Sequence, residues 1–523
     1  MRLVAEPESG AGQMGSGHAG TLQDRRGMKL SDLLSGVEIG SITGPTGVEI
    51  QSVAYDSRKV APGAIFFAVR GEKLEGAKFV SDAMARGAVA VASESARPSD
   101  FPTSVPWVHL LSGSDRRGLA RGAANFYGRP AEALKLVGVT GTNGKTTTTF
   151  LIDSILHAAD FSTALIGTTG YRTLGASRPA PNTTPESLDL QQIFAEVRQA
   201  HGTHVVLEAS SHALAMDRLW TCHFAAAVFT NLTRDHLDYH QTMEEYFAAK
   251  RRLFEGTGAG APDVAVINAD DPYASKLAGL ARRTLTYGLK TGPDLAAKKL
   301  ALGFGGLEFT AQTPAGNIAV RSHLVGRINA YNILAAIGAA LALEIPVQKI
   351  EAGIAALDQV PGRFERIDEG QPFLVVVDYA HTDDALRNLI STARELSSAG
   401  RIITVFGAGG ERDRSKRPLM GEAAGLLSDI VVLTSDNPRS EDPLLIINDV
   451  VVGLQRTATG YRVEPDRERA IELALEEARP GDIVLLAGKG HETYQVLRDG
   501  PIAFDDREKA RAILRGKGFS KNP

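Results

Sequence analysis

Short apolar runs alternate with longer stretches of helical periodicity through most of this chain. From Met28 to about Ala124 the elements are brief. AIFFAV (Ala64 to Val69) and AVAVAS read as strands, and KFVSDAMARG (Lys78 to Gly87) as a helix between them. From about Phe126 to Val360 the strand candidates are LKLVGVT (Leu134 to Thr140), HVVLEAS (His204 to Ser210), AAAVFTNL (Ala225 to Leu232) and DVAVINAD (Asp263 to Asp270). They are apolar throughout instead of alternating, and each ends in polar residues. Parallel strands buried on both faces have this pattern, with functional residues just past their carboxyl ends. After PGRFER (Pro361 to Arg366) a third series begins: FLVVVDYA (Phe373 to Ala380), RIITVFGAGG (Arg401 to Gly410), DIVVLTSD (Asp429 to Asp436) and DIVLLAGKG (Asp482 to Gly490). Between these lie the helices ALRNLISTAREL (Ala385 to Leu396) and ERAIELALEEA (Glu468 to Ala478). The pattern predicts an α/β protein of three domains. A small α/β domain spans 28–124, a central P-loop ATPase-like parallel-sheet domain spans 125–360, and a Rossmann-like domain spans 361–523.

Composition narrows the function. Residues 1–27 are rich in Gly, Ser and charge and lack an apolar core, so they predict a disordered extension and no secretory signal. No run of about 18 apolar residues exists, so no membrane span is expected. Charged residues make up 23% of the 523 residues with a formal net charge of −4, which argues against a nucleic-acid partner. The single cysteine, Cys222, cannot form an internal disulfide and suits a reducing, cytoplasmic compartment. A monomer is expected.

The clearest chemistry lies in VGVTGTNGKTTTTF (Val137 to Phe150). A buried strand ends, a Gly-rich turn follows, and a helix starts at Lys145. Gly141 and Gly144 let backbone N–H groups of Thr142 and Asn143 turn toward a polyphosphate, and the helix offers its positive end. Lys145 would neutralise β- and γ-phosphates, the Thr146 hydroxyl would reach Mg²⁺, and Thr147 follows in the same turn. Position 139 is Val where the strict phosphate-loop pattern has its first Gly.

GTNGKTT resembles the loop of the Mur ligases and the related folylpolyglutamate synthetases. Further segments repeat the likeness in chain order: DSRKVAPGAIFFAVRG, NTTP, LEASSHAL, NLTRDHLDYH, YFAAKRRLF, NAYNILAA, PGRFER, DYAHT, GGERDRSKRPLM, DNPR and GKGHE. They cover nearly everything after Met28, and within the family the likeness is to the members that add diaminopimelate. The resemblance implies an ATP-dependent ligase of cell-wall precursor synthesis. Such an enzyme phosphorylates the D-Glu side-chain carboxylate of UDP-N-acetylmuramoyl-L-alanyl-D-glutamate and passes the acyl group to the amine of meso-diaminopimelate.

The same resemblance assigns residues. Thr146, Glu208 and His236 would hold Mg²⁺; alone, Glu208 and His236 read more readily as capping or solvated residues, and their pairing on adjacent strand ends favours the site. Lys250 would carry a CO₂-derived carbamate (N6-carboxylysine). Asn329, Asn332, Arg363, Asp378 and His381 would meet ATP. Family members commonly have Pro after DYAHT, where this chain has Asp383. Tyr55, Ser57 and the stretch Glu72 to Leu74 fall where the uridine diphosphate binds. Asn182, Thr183, Thr184, Ser210 and Arg218 fall where the muramoyl dipeptide binds. Arg412, Asp436, Asn437, Pro438, Arg439, Gly488 and Glu492 would form the diaminopimelate pocket. Arg439 is the informative one, because a guanidinium can grip the distal carboxylate that lysine lacks. Two other enzyme readings belong to the same superfamily: a lysine-adding ligase and a folylpolyglutamate synthetase. A nucleotide-binding switch is the reading from another class, and it would lack the set Lys145, Thr146, Glu208, His236 and Lys250.

Overall fold

A computed structural model describes residues 27–71, 75–290, 292–397 and 399–520. The expected disordered extension, Gly27 apart, and the stretch Glu72 to Leu74 lie outside the described residues. The chain divides into two compact units. One holds Ile39–Leu111 with the described residues up to Leu34, and the other holds Ser35–Glu38 and the chain from Ser112 onward. In the first unit, five strands pair in the order Ile39–Thr43, Trp107–Leu110, Ala88–Ser93, Ala64–Phe67, Ser52–Ala54. The buried Phe66, Val91 and Trp107 form its core.

In the second unit, the central sheet has eleven strands. Its middle is parallel, in the order Thr163–Gly167, His204–Glu208, Lys135–Thr140, Phe224–Phe229, Val264–Asn268, Arg283–Gly288, Leu295–Gly303. Successive side chains of Lys135–Thr140 feed two different cores. Leu136 joins Phe194, Phe247 and Leu253 on one face, while Val137 and Val139 join Ile152, Ile155 and Ile333 on the other. Both faces are covered, which is why the strands read as continuous apolar runs. Gly138 is small because a Cβ there would lie 2.8 Å from the Phe224 ring. Helix Lys145–Ala158 buries Phe150, Leu151, Ile152, Ile155 and Leu156. Each such side chain is worth roughly 1.5–3 kcal/mol, so the helix start that carries the phosphate loop is held rigidly.

The sequence pattern did not reveal the sheet's edges. A hairpin, Gly170–Thr173 with Ala176–Arg178, closes one side. An antiparallel meander through Gly306–Thr313 and Gly316–Ser322 closes the other. The meander strands alternate buried and exposed residues, and such half-buried strands carry few apolar residues in a row.

A second sheet orders its strands Glu365–Ile367, Leu374–Asp378, Ile483–Ala487, Ile402–Phe406, Ile430–Leu433, Gly460–Val463. All its pairings are parallel except the first. Helix Asp383–Leu396 opens under the cap of Thr382, whose hydroxyl accepts from the Ala385 N–H at 3.2 Å. Asp383 and Asp384 stand in its first turn, where acids complement the helix dipole. The Asp383 that departs from the family's Pro therefore still starts a helix. Among the described residues, no helix is long and apolar enough to cross a membrane.

Candidate active site

The phosphate loop leaves the carboxyl end of Lys135–Thr140 and is pinned from the neighbouring strand end. Thr142 N donates to Asn231 O at 2.8 Å and Asn143 N to Asn231 Oδ1 at 2.9 Å. Gly141 has φ +144°, and a Cβ there would fall 1.9 Å from Thr230 Oγ1. Gly144 is left-handed at φ +86°, and a Cβ there would meet Asn332 Oδ1 at 2.4 Å. Lys145 Nζ donates to Gly141 O at 3.0 Å and Thr142 O at 2.8 Å.

Glu208, at the end of the adjacent strand, is 1% exposed. Its Oε1 accepts from Thr146 Oγ1 at 3.0 Å and Thr168 N at 2.9 Å, and its Oε2 from Thr168 Oγ1 at 3.1 Å. Arg363 reaches in from the segment that precedes the second sheet. Its Nη2 donates to Thr146 Oγ1 at 3.1 Å while the guanidinium lies 4.7 Å over the Tyr379 ring. Asp378 accepts from Phe364 N at 2.7 Å and Ala380 N at 2.8 Å, which fixes the backbone beside Arg363. Burial raises the Asp378 carboxyl above its ordinary value, against the pull of Arg363. Burial likewise lowers His381.

Lys250 is 2% exposed on helix Met243–Glu255. Its Nζ donates to Gly141 O at 2.8 Å and lies 4.4 Å over the Tyr246 ring. Among the described residues, no carboxylate is within ion-pair distance of this ammonium. Burial, then the charge of Lys145, hold its pKa well below that of an ordinary lysine, with Asp235 opposing weakly. The result is an enclosed amine that is easily neutral. His236 sits in left-handed backbone at φ +54°, partly exposed, its ring 4.9 Å from that of His212.

These groups line one cavity of about 240 Å³. It brings together Thr142 to Thr147, Thr183, Glu208, Ser210, His236, Lys250, Asn329, Asn332, Arg363, Asp378 and His381. An apolar slot of Leu324, Val325, Ile328 and Leu389 opens beside Asn329. Asn329 itself donates to Val325 O at 2.7 Å and accepts from Asn332 Nδ2 at 2.9 Å, so both amides brace the slot.

Of the expected dipeptide residues, Thr183 and Ser210 line the cavity, and Asn182, Thr184 and Arg218 lie outside its lining. Thr184 Oγ1 donates to Glu208 O at 2.6 Å and lies 3.1 Å from Ser210 Oγ. Arg218 donates to Thr184 O at 3.0 Å and pairs with Glu186 at 3.3 Å. The Asn182 carbonyl accepts from Tyr171 OH at 2.5 Å. Tyr55 and Ser57 belong to the other compact unit, where Ser57 is buried at the start of a short 3₁₀ turn.

The expected diaminopimelate residues form a second cluster at the carboxyl ends of the second sheet. Asn437 is its hub. Its Oδ1 accepts from Val496 N at 2.9 Å and Lys489 Nζ at 3.2 Å, and its Nδ2 donates to Glu492 Oε2 at 2.9 Å. Arg439, in left-handed backbone, donates Nη1 to Gly410 O at 2.7 Å. Pro438 and Asp436 are buried and Arg412 is exposed. A Cβ on Gly488 (φ +112°) would lie 3.6 Å from Asp436 Oδ2.

Sequence reasoning passed over several members. Thr168 had no signal. Asp235, Tyr379 and Lys489 lay inside motifs already singled out, TRDH, DYAHT and GKGHE. Asp384 accepts from Asn143 Nδ2 at 2.7 Å and Thr233 Oγ1 at 3.1 Å, linking the second sheet's first helix to the phosphate loop. Its position one residue past the altered DYAHTD was the only hint.

Phosphate loop, strand-end carboxylate and a cationic side chain arriving from a second α/β layer define a phosphate-loop nucleotide-using enzyme. Family models agree on a narrower class. The Mur ligase middle domain matches residues 139–340, the Mur ligase glutamate ligase domain 362–490, and the Mur ligase family catalytic domain 49–109. The chain belongs to the Mur ligase family. It is 54% identical over 495 residues to a UDP-N-acetylmuramoyl-L-alanyl-D-glutamate–2,6-diaminopimelate ligase of Solibacter usitatus, covering 94% of this chain and 99% of that protein. A ligase of the same name from Geobacillus kaustophilus is 44% identical over 496 residues, covering 94% and 100%. A solved structure of such a ligase superposes with TM-score 0.65 at 34% identity, covering 94% of this chain and 100% of that one. The fold is also that of a Thermotoga maritima MurF ligase solved with ADP, at TM-score 0.62 and 21% identity over 89% of this chain and 98% of that one.

Proposed function

We propose that this protein joins meso-diaminopimelate to the D-Glu side-chain carboxylate of UDP-N-acetylmuramoyl-L-alanyl-D-glutamate. ATP is spent through an acyl phosphate, and ADP and phosphate are released. The observation that carries this reading is the meeting of Lys145, Thr146, Glu208, Lys250 and Arg363 in one cavity, in a chain similar over nearly its whole length to relatives that bear that ligase name.

The adenine ring fits the apolar slot of Leu324, Val325, Ile328 and Leu389. The loop N–H groups of Thr142 and Asn143, expected to face a polyphosphate, are instead engaged by Asn231, so the triphosphate lies against the N–H groups that open helix Lys145–Ala158, with Lys145 and Arg363 offsetting its charge. Arg363 and Lys145 belong to different layers, so both reach the transferring phosphoryl only in the arrangement described above. Catalysis by such a site is positioning and charge neutralisation, with no protein nucleophile.

Thr146 Oγ1 and the Glu208 carboxylate are hard oxygen donors 3.0 Å apart beside the loop. They fit Mg²⁺, which keeps several waters and takes few protein ligands. Among the described residues no group of three or more His, Cys, Asp or Glu could hold a metal ion. Bound there, Mg²⁺ would offset charge on the phosphates, and His236, which lines the same cavity, is proposed as a further ligand.

Lys250 is suited to carbamylation. A neutral amine adds CO₂ and releases a proton; burial and the Lys145 charge favour the neutral amine, and the same Lys145 charge offsets the anionic product. Tyr55 and Ser57 are proposed to take the uridine diphosphate, and Asn182, Thr183, Thr184, Ser210 and Arg218 the muramoyl dipeptide. Arg439 and Arg412 would take carboxylates of the amino acid, with Asp436 and Glu492 on its ammonium groups. A monomeric, cytoplasmic enzyme is the setting in which these substrates occur.

The test is phosphate release from ATP with the nucleotide dipeptide present, comparing meso-diaminopimelate with L-lysine. Release that depends on diaminopimelate and on the dipeptide is expected. Release with lysine alone overturns the substrate assignment, and release with neither overturns the reaction.

A further inference from the structure

Lys489 lies inside GKGHE and is completely buried, with 0% of its side chain exposed. A buried lysine needs partners, and this one has them on three sides. Its Nζ donates to Glu492 Oε2 at 3.0 Å and Asn437 Oδ1 at 3.2 Å, and it faces Asp436 Oδ1 at 3.7 Å. All three partners belong to the second cluster. Asn437 sits in the turn after Ile430–Leu433, and Glu492 in the turn after Ile483–Ala487. The ammonium therefore ties together turns that follow two strands not adjacent in the sheet, with Ile402–Phe406 between them.

Behind it the tie is braced. Arg467, 0% exposed, pairs with Asp506 at 2.7 Å and donates to Ser435 O at 3.3 Å and Ala487 O at 2.9 Å. Those carbonyls immediately precede Asp436 and Gly488. The strand ends are thus held by one buried cation and the carboxylates beyond them by another.

We propose that Lys489 is a positioning residue for the amino-acid substrate. It holds the carboxylates of Asp436 and Glu492 and the amide of Asn437 in register, and by offsetting one of the two carboxylate charges it leaves a single negative charge for a substrate ammonium. This rests on the amino-acid site proposed above. Asp436 Oδ1 is buried with no hydrogen-bond partner, and a Cβ on Gly488 would lie 4.0 Å from it, so the glycine leaves that side of the carboxylate uncovered by a side chain. Without the lysine, two buried like charges would face each other, and one would take up a proton or swing away. Lys489 does not line the cavity assigned to ATP, so cutting the tie should spare ATP binding.

The experiment measures KM for diaminopimelate and for ATP, with kcat, in wild type, Lys489→Met and Lys489→Arg, by phosphate release. Removing one partner of a buried charged pair predicts a rise in diaminopimelate KM of roughly 30-fold or more in Lys489→Met, with ATP KM unchanged and partial recovery in Lys489→Arg. Should Lys489→Met fail to fold by circular dichroism, Lys489→Gln, which keeps a donor for Asn437 but no charge, carries the same comparison. A diaminopimelate KM within about twofold of wild type, or ATP and diaminopimelate KM rising in parallel, overturns the proposal. Wild type that fails to turn over diaminopimelate overturns the functional reading instead, so the two failures are told apart.

Discussion

Arg439→Ala removes the guanidinium that the DNPR turn contributes to the second cluster. Its Nη1 is already committed to Gly410 O at 2.7 Å and Asn437 O at 3.3 Å. Among the described residues no hydrogen bond engages Nη2 or Nε, so one edge of the fork is available to a substrate carboxylate. The backbone stays where it is, since the Arg439 N–H donates to Val496 O at 3.1 Å and holds the left-handed turn. Losing one partner of a buried charged pair costs roughly 2–5 kcal/mol, or about 30- to 4000-fold. Arg439 is only partly buried and shares its charge with two carbonyls, so the lower end applies, about 30- to 100-fold in kcat/KM for diaminopimelate. L-Lysine has no distal carboxylate, so its turnover should not change, and the preference for diaminopimelate should collapse. Arg439→Lys, a point charge without the planar fork, should fall between. The assay is phosphate release against amino-acid concentration at saturating ATP and nucleotide dipeptide. A diaminopimelate kcat/KM within about threefold of wild type, or a parallel loss for lysine, would refute the claim that Arg439 reads that carboxylate.

Three further outcomes follow from burial and sterics. Lys250 has a depressed folded pKa, so between that value and about 10.4 the unfolded chain binds more protons and stability rises with pH. Lys250→Met in CO₂-free buffer should therefore be at least as stable as wild type at pH 7, with a shallower rise toward pH 9, while ligase activity is lost. Urea melts at the two pH values check this, and a destabilised variant with an unchanged slope contradicts it. Arg467→Met strands Asp506 in a fully buried pair and should cost roughly 3–5 kcal/mol. The double variant with Asp506→Leu should recover most of that in the same melts, and strictly additive losses would contradict the pairing argument. Gly141→Ala puts a Cβ 1.9 Å from Thr230 Oγ1 and should weaken ATP at least about tenfold by displacing the loop, read by ATP titration. Wild-type affinity would mean the loop yields where the packing says it cannot.

Some of this architecture was plain in the sequence because its physics is local. Strands such as Lys135–Thr140 and Ile483–Ala487 are buried on both faces, so every position is apolar and the run is visible without neighbours. The phosphate loop was visible because Gly141 and Gly144 are required where they stand by close backbone approach. The edge meander was not, because a strand covered on one face needs only every second residue apolar, and LAAKKLALG does not even alternate cleanly. Thr168 was not, because its role depends on a Glu208 carboxylate that is forty residues away in sequence and 2.9 Å away in space. The slot of Leu324, Val325, Ile328 and Leu389 joins a loop and a helix start from one layer to a helix from the next, and no linear pattern encodes that meeting.

The two buried lysines show where linear reading stops and the fold decides the chemistry. Lys250 and Lys489 are both almost wholly enclosed, and each follows an alanine or glycine in a motif quoted for its likeness to a family. Lys250 lies over a tyrosine ring with only a carbonyl to donate to, near a second lysine, so enclosure disfavours its charge and leaves a nucleophilic amine. Lys489 lies among Glu492, Asp436 and Asn437, so enclosure strengthens an ion pair and leaves a fixed cation. Exchanging the surroundings would exchange the roles. A fixed cation at position 250 could not add CO₂, and a neutral amine at position 489 would leave two carboxylates opposed. What distinguishes them is the nearest anion, and that is set by which strand ends the two sheets bring together.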